Sequence, residues 1–240
     1  MKVLVAGATG AIGRPLVSAL VAAGHEVIGM SSSENAALSL REKGAYGEVA
    51  NALDENAVLA LVKRVKPDAV IDELTSWPKR HTPKEMRAAA NRDRNVRLAG
   101  GRNVHDAARA AGAKRYIAQS TGFFYGPGEG LATEKDALAV NASPGVAGSV
   151  RTYMQIEERV LGASDLPGVA LRYGFFYGPG TYHDPIHGSV SDQVREHAYP
   201  VIGSGPYSRS CTLRTRRLRP WRHLKAILVF TTLWMTILQR

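Results

Sequence analysis

The chain has 240 residues, 45% of them hydrophobic, which suits one large α/β domain or a domain with a small added lobe. A single cysteine, Cys211, excludes an internal disulfide framework and fits a reducing cytoplasm, and the seven scattered histidines form no metal-ligand spacing. The net charge of +10 invites a nucleic-acid or membrane reading, but eight of those charges follow Gly205 in a stretch without Asp or Glu, leaving +2 for residues 1–205. The domain itself therefore carries no basic footprint for nucleic acid. No basic leader with a cleavage site precedes it, so a cytoplasmic protein is expected.

The chain opens on a β-rich run, 2–6, followed by Gly7-Ala8-Thr9-Gly10-Ala11-Ile12-Gly13 and the apolar stripe Ile12, Leu16, Leu20. A strand, a glycine turn and an amphipathic helix over 11–23 make the first unit of a dinucleotide-binding fold. The glycines divide three tasks: a tight turn, close approach of backbone to a pyrophosphate, and close helix–strand packing. Free N–H groups at the helix start then face the phosphates. Gly7, Thr9, Gly10, Ala11, Ile12 and Gly13 are the expected cofactor contacts.

Short apolar runs predict further strands at 26–30, 47–50, 69–72, 115–119 and 169–173, alternating with helices over 35–43, 55–65, 84–111 and 150–161. Gly24, Gly44 and Gly112 stand where helix C-caps are expected. Such alternation predicts an α/β fold, a Rossmann-type doubly wound parallel sheet. Residues 126–148, rich in Gly, Pro and Ala, read as an irregular connection.

Three ordered motifs carry a family resemblance over about residues 1–205. They are the glycine turn; Ala118-Gln119-Ser120-Thr121 leading to Tyr125-Gly126; and Leu171-Arg172-Tyr173 leading to Tyr177-Gly178-Pro179-Gly180. The chain resembles the NAD-dependent epimerase/dehydratase branch of the extended short-chain dehydrogenase/reductases. The resemblance implies a Rossmann domain over 1–165, with 166–205 supplying the last strand and the start of a substrate lobe. It also implies a small polar or sugar-derived substrate, a homodimer as the assembly to test, and NAD or NADP as cofactor. Where family members carry an acidic residue after the second strand, this chain has Ser31-Ser32-Ser33, which leans towards NADP; the same serines can instead cap the next helix. By resemblance Asn51 and Ala52 lie beside the adenine, Leu74 and Thr75 line the cofactor path, and Tyr173 is a further cofactor-binding candidate.

The resemblance weakens at the catalytic residues. The family uses a Ser or Thr to orient the substrate, a Tyr as acid/base and a Lys four residues later. Thr121, with Ser120 beside it, holds the first place. Tyr153 is followed at the fourth position by Glu157, and a carboxylate there is expected to raise the tyrosine pKa. The alternative register places Val150 and Met154 at the two positions. Tyr153 therefore reads first as a helix-face residue and second as the acid/base. Tyr125 and Tyr177 read as packing beneath tight turns, and Arg172 as either an anion anchor or a sheet-edge ion pair. The competing functions are an oxidoreductase or epimerase and a non-catalytic NAD(P)-binding sensor that lost the Tyr/Lys pair.

Residues 206–240 change character: arginines crowd in, acids vanish, and two of the three tryptophans appear. Read one nucleotide earlier with permitted synonymous codons, Thr212 onward becomes His-Val-Glu-Asp-Ala-Ala, and Lys225 onward becomes Glu-Gly-Asp-Pro-Gly-Ile-Tyr-Asn. That product resembles the continuation expected of the family, so the tail reads as a shifted frame beginning near codons 204–207. Taken at face value, the apolar run 226–238 is too short to span a bilayer comfortably.

Overall fold

The computed structural model describes residues 1–128 and 132–199, together with the backbone of two short strands, Ser210–Thr212 and Thr236–Gln239. The expected basic and apolar character of the tail falls almost wholly outside the described residues.

Strands β1 (Lys2–Ala6), β2 (Glu26–Ser31), β3 (Tyr46–Val49), β4 (Ala69–Asp72), β5 (Arg115–Thr121) and β6 (Gly168–Tyr173) form one parallel sheet in the order β3-β2-β1-β4-β5-β6. Outside this sheet β7 (Phe175–Tyr177) pairs in parallel with β8 (Ser210–Thr212), while β9 (Thr236–Gln239) lies antiparallel on the outer edge of β6. The chain winds outward from β1 to β3, then crosses back to place β4 on the other side of β1. That reversal opens a crevice beyond the carboxyl ends of β1 and β4, where ligands bind in such sheets.

Helices α1 (Gly13–Ala22), α2 (Glu34–Arg41), α3 (Glu55–Val65), α4 (Pro83–Asn95), α5 (Gly101–Ala110), α6 (Pro144–Gly162) and α7 (Ser189–Arg195) complete the described elements. Successive residues of β1 point to opposite faces, and both faces are buried. Val3 and Val5 pack with Ile12, Leu16, Val17 and Leu20 of the α1 side, while Leu4 and Ala6 pack with Val58, Leu61, Val104 and Ile156 of the α3, α5 and α6 side. Gly24, Gly44 and Gly112 take left-handed φ values of 79°, 78° and 73°, as expected of C-caps.

Two expectations need correction. The helix expected over 84–111 is two α-helices joined by a π-helical turn at Val96–Gly100. The helix expected from 150 starts at Pro144, because proline suits the first turn and the glycines at 145 and 148 do not stop a helix packed on the sheet. Leu4, fully buried in the central strand, is expected to set stability. Leu4→Ala should cost about 2–5 kcal/mol, seen as a lower urea midpoint with an unchanged slope.

Candidate dinucleotide and substrate cleft

The glycine loop is held by backbone contact. Gly7 has φ +78°, and a Cβ there would lie 2.4 Å from the carbonyl oxygen of Glu73; at Gly13 a Cβ would lie 2.2 Å from the carbonyl oxygen of Gly7. The Gly10 N–H donates to the Gly7 carbonyl at 3.0 Å, closing the turn. Helix α1 starts at Gly13 behind Ile12 with no side-chain cap; the Arg14 N–H donates to the Gly10 carbonyl at 3.1 Å and Pro15 has no N–H, so it is the N–H groups of Ala11, Ile12 and Gly13 that are left for an anion. This uncapped, close-packed loop fits a dinucleotide pyrophosphate.

A cleft of about 1300 Å³ runs from this loop across the ends of β4, β5 and β6. Gly10, Ala11, Ile12, Gly13, Thr75, Ser120, Thr121, Tyr153 and Tyr173 all line it. Gly7 sits beneath it as the turn, and the Thr9 carbonyl accepts from Arg14 Nε at 2.8 Å. The remaining candidates lie away from its walls. Ser33 caps α2 by accepting from the Ala36 N–H, Ser31 is buried, and Ser32 is exposed. Asn51 Oδ1 accepts from the Leu53 N–H, the buried Ala52 offers its carbonyl to Asn103, and Leu74 packs on the core.

The acid in the lysine's place is locked away from the tyrosine. Glu157 Oε1 and Oε2 each accept from Arg172 at 2.7 Å, and Oε1 also takes the Ser120 hydroxyl at 2.6 Å. Arg172 further donates to the Tyr125 hydroxyl at 3.2 Å. Burial opposes the arginine's charge, yet these bonds hold its pKa above the ordinary value. Arg172 is thus an ion pair between β6 and α6, Tyr125 is its partner, and the Ser120 hydroxyl is engaged with Glu157.

Tyr153 sees a different charge. Its pKa is raised, first by burial and then by Asp93, while Arg97 pulls it down. The expected push from Glu157 is absent because Arg172 neutralises that carboxylate. The Arg97 guanidinium lies 5.2 Å from the Tyr153 ring centre and 5.9 Å from Trp77. It is fixed by Asp93 at 2.7 Å and Gln119 at 3.2 Å. In the alternative register Val150 is core and Met154 is exposed, so neither reaches this cleft.

Sequence reasoning missed Glu73, Arg97 and Asp93. Asp72 and Glu73 are both buried at the end of β4: Asp72 accepts from Tyr116 at 2.9 Å, and Glu73 Oε1 accepts from Tyr173 at 2.9 Å. Glu73 Oε2 is buried without a hydrogen-bond partner among the described residues, and burial pushes the pKa up to about 8. Two acids directly after an apolar strand, Ala69-Val70-Ile71, were the available signal.

The sequence model of the NAD dependent epimerase/dehydratase family matches residues 3–223. The chain belongs to that family. The match runs past the boundary near 205 read from the motifs, into the basic segment. A curated relative, the 3-diazoavenalumate denitrifying reductase of a Streptomyces species, is 43% identical over 184 residues, covering 75% of this chain and 58% of that protein. The chain thus spans little more than half of that relative's length. Among solved structures, UDP-glucose 4-epimerase of Thermotoga maritima with UDP-glucose superposes with a TM-score of 0.66 at 21% identity, covering 88% of this chain and 69% of that one. Pal from Bacillus thuringiensis gives 0.65 at 20%, covering 82% and 63%. UDP-glucose 4-epimerase of Thermus thermophilus in complex with NAD gives 0.59 at 26%, covering 84% and 64%. The first two likenesses show the fold alone.

The buried charges have consequences for stability. Restoring the family lysine by Glu157→Lys sets a second cation against Arg172, so it should lower the melting temperature and folded yield without creating a Tyr/Lys pair; breaking such a pair costs about 3–5 kcal/mol. For Glu73 the ordinary value of 4.5 applies to the unfolded chain and about 8 to the fold. Its stabilising contribution is then complete below pH 4.5 and lost as pH rises to about 8. Urea unfolding should show that decline, worth several kcal/mol at about 1.4 kcal/mol per pKa unit, and Glu73→Gln should flatten it.

Proposed function

We propose that this family member is an NAD(P)-dependent reductase of a small polar substrate. The observation that carries the reading is that the glycine loop, Thr121 and Tyr153 open onto one cleft. A dihydronicotinamide held at the glycine loop would supply a hydride to a substrate carbon. Thr121 orients the oxygen on that carbon, and the Tyr153 hydroxyl gives it a proton, leaving a phenolate beside the permanent cation of Arg97. Arg97, fixed by Asp93 and Gln119, thus takes the part of the missing lysine from another helix. The 43% identity to a reductase favours reduction over epimerisation. The absence of a carboxylate at Ser31-Ser32 favours NADPH, with the exposed Ser32 available to a 2′-phosphate while Ser33 caps α2. NAD-bound relatives such as the Thermus epimerase support the alternative cofactor.

Oxidation of NADPH and NADH should be followed with carbonyl compounds, sugar nucleotides and 3-diazoavenalumate. Tyr153→Phe is expected to lower turnover about 10²- to 10⁴-fold with cofactor affinity unchanged. Wild-type turnover by that variant would remove Tyr153 from the reaction. The sealed Glu157 supports a second reading, a binding protein without turnover; tight NADPH binding with no turnover on any of these compounds would favour it.

We also propose that residues 206–240 come from a shifted frame and leave the present chain impaired. Sequencing codons 200–212 should reveal an open frame continuing through His-Val-Glu-Asp-Ala-Ala, and the restored protein should turn over faster. A gene without that frame would make the tail native.

A further inference from the structure

Glu73 is the one cleft-lining carboxylate among the described residues with a buried oxygen that no donor reaches. Its backbone is fixed on both sides. The N–H donates to the Ala6 carbonyl at 2.9 Å, and the carbonyl packs where a Gly7 side chain would otherwise stand. Its side chain reaches Tyr173 at the end of β6, which donates to Oε1. No cation among the described residues bonds to it. Of the charged groups facing it, Asp72 at the end of β4 disfavours ionisation, Arg97 from the π-helical turn favours it weakly, and the glycine loop presents backbone alone.

We propose that Glu73 binds the dinucleotide as a neutral acid, its Oε2–H donating to an acceptor oxygen of the ligand lying between the glycine loop and Tyr173. This rests on the dinucleotide reading above. The geometry leaves Oε2 as a donor in search of an acceptor, and its ionised form would set a buried anion beside an anionic ligand. Burial holds the proton on, with a pKa of about 8 in the free protein. Binding at higher pH must therefore take up a proton. Below that value it takes up none. His81 and His183, also on the cleft, have pKa values lowered by burial, so they stay uncharged through this range and do not mimic the effect.

The test is the NADH dissociation constant of the full chain from pH 6.5 to 9.5, read by cofactor fluorescence. NADH serves as the probe because it has no 2′-phosphate to titrate. The expected result is a flat affinity to about pH 8 and then a weakening approaching tenfold per pH unit. Glu73→Gln, which keeps an N–H donor, should bind with a flat profile. In parallel, calorimetry of the wild type at pH 8.5 in two buffers of different ionisation heat should register proton uptake, which stands even if the variant fails to fold. Saturable binding with a flat wild-type profile and no proton uptake would overturn the proposal alone. No saturable binding at pH 6.5 would overturn the dinucleotide reading with it.

Discussion

The backbone contact between the Gly7 turn, Gly13 and Glu73 governs the rest of the molecule. With Cβ clearances of 2.4 and 2.2 Å to carbonyl oxygens, no side chain fits at either glycine without moving the loop. That contact lets α1 rest directly on β1 and brings its uncapped start to the switch point between β1 and β4. The cleft then follows from topology, because its lining draws on the carboxyl ends of β4, β5 and β6 and on α6 beside them.

Within that frame the charges are rearranged rather than missing. The carboxylate in the lysine's place is spent on Arg172, tying α6 to β6 and engaging the Ser120 and Tyr125 hydroxyls. The cation that reaches Tyr153 comes instead from the π-helical turn after α4, where the extra residue per turn brings Arg97 between Tyr153 and Trp77. A second buried acid, Glu73, follows β4 and accepts from the Tyr173 hydroxyl. One cleft therefore contains a partly buried tyrosine beside a cation and a buried carboxyl without one, and burial raises the pKa of both.

The strands were legible because parallel strands buried on both faces read as plain apolar runs. Ala69–Asp72 and Lys2–Ala6 fall where the sequence places them, and the C-cap glycines punctuate the helices between. The glycine loop and Thr121 were read from motifs, whereas Tyr153, with no lysine four residues on, read first as a helix-face residue. Arg97 was not legible, since an arginine in a run of Arg92, Arg94 and Arg97 reads as a solvated helix face until the π-helical turn rotates it inward. The locking of Glu157 was equally hidden, because its partners lie 15 and 37 positions away on other strands.

The action of Arg97 on Tyr153 is tested most directly by a double-mutant cycle on stability, combining Arg97→Met with Tyr153→Leu in urea unfolding. Loss of the Asp93 partner is common to both arms and cancels. A favourable coupling of about 0.5–2 kcal/mol is expected. Additive effects would contradict it and leave the tyrosine without its cation.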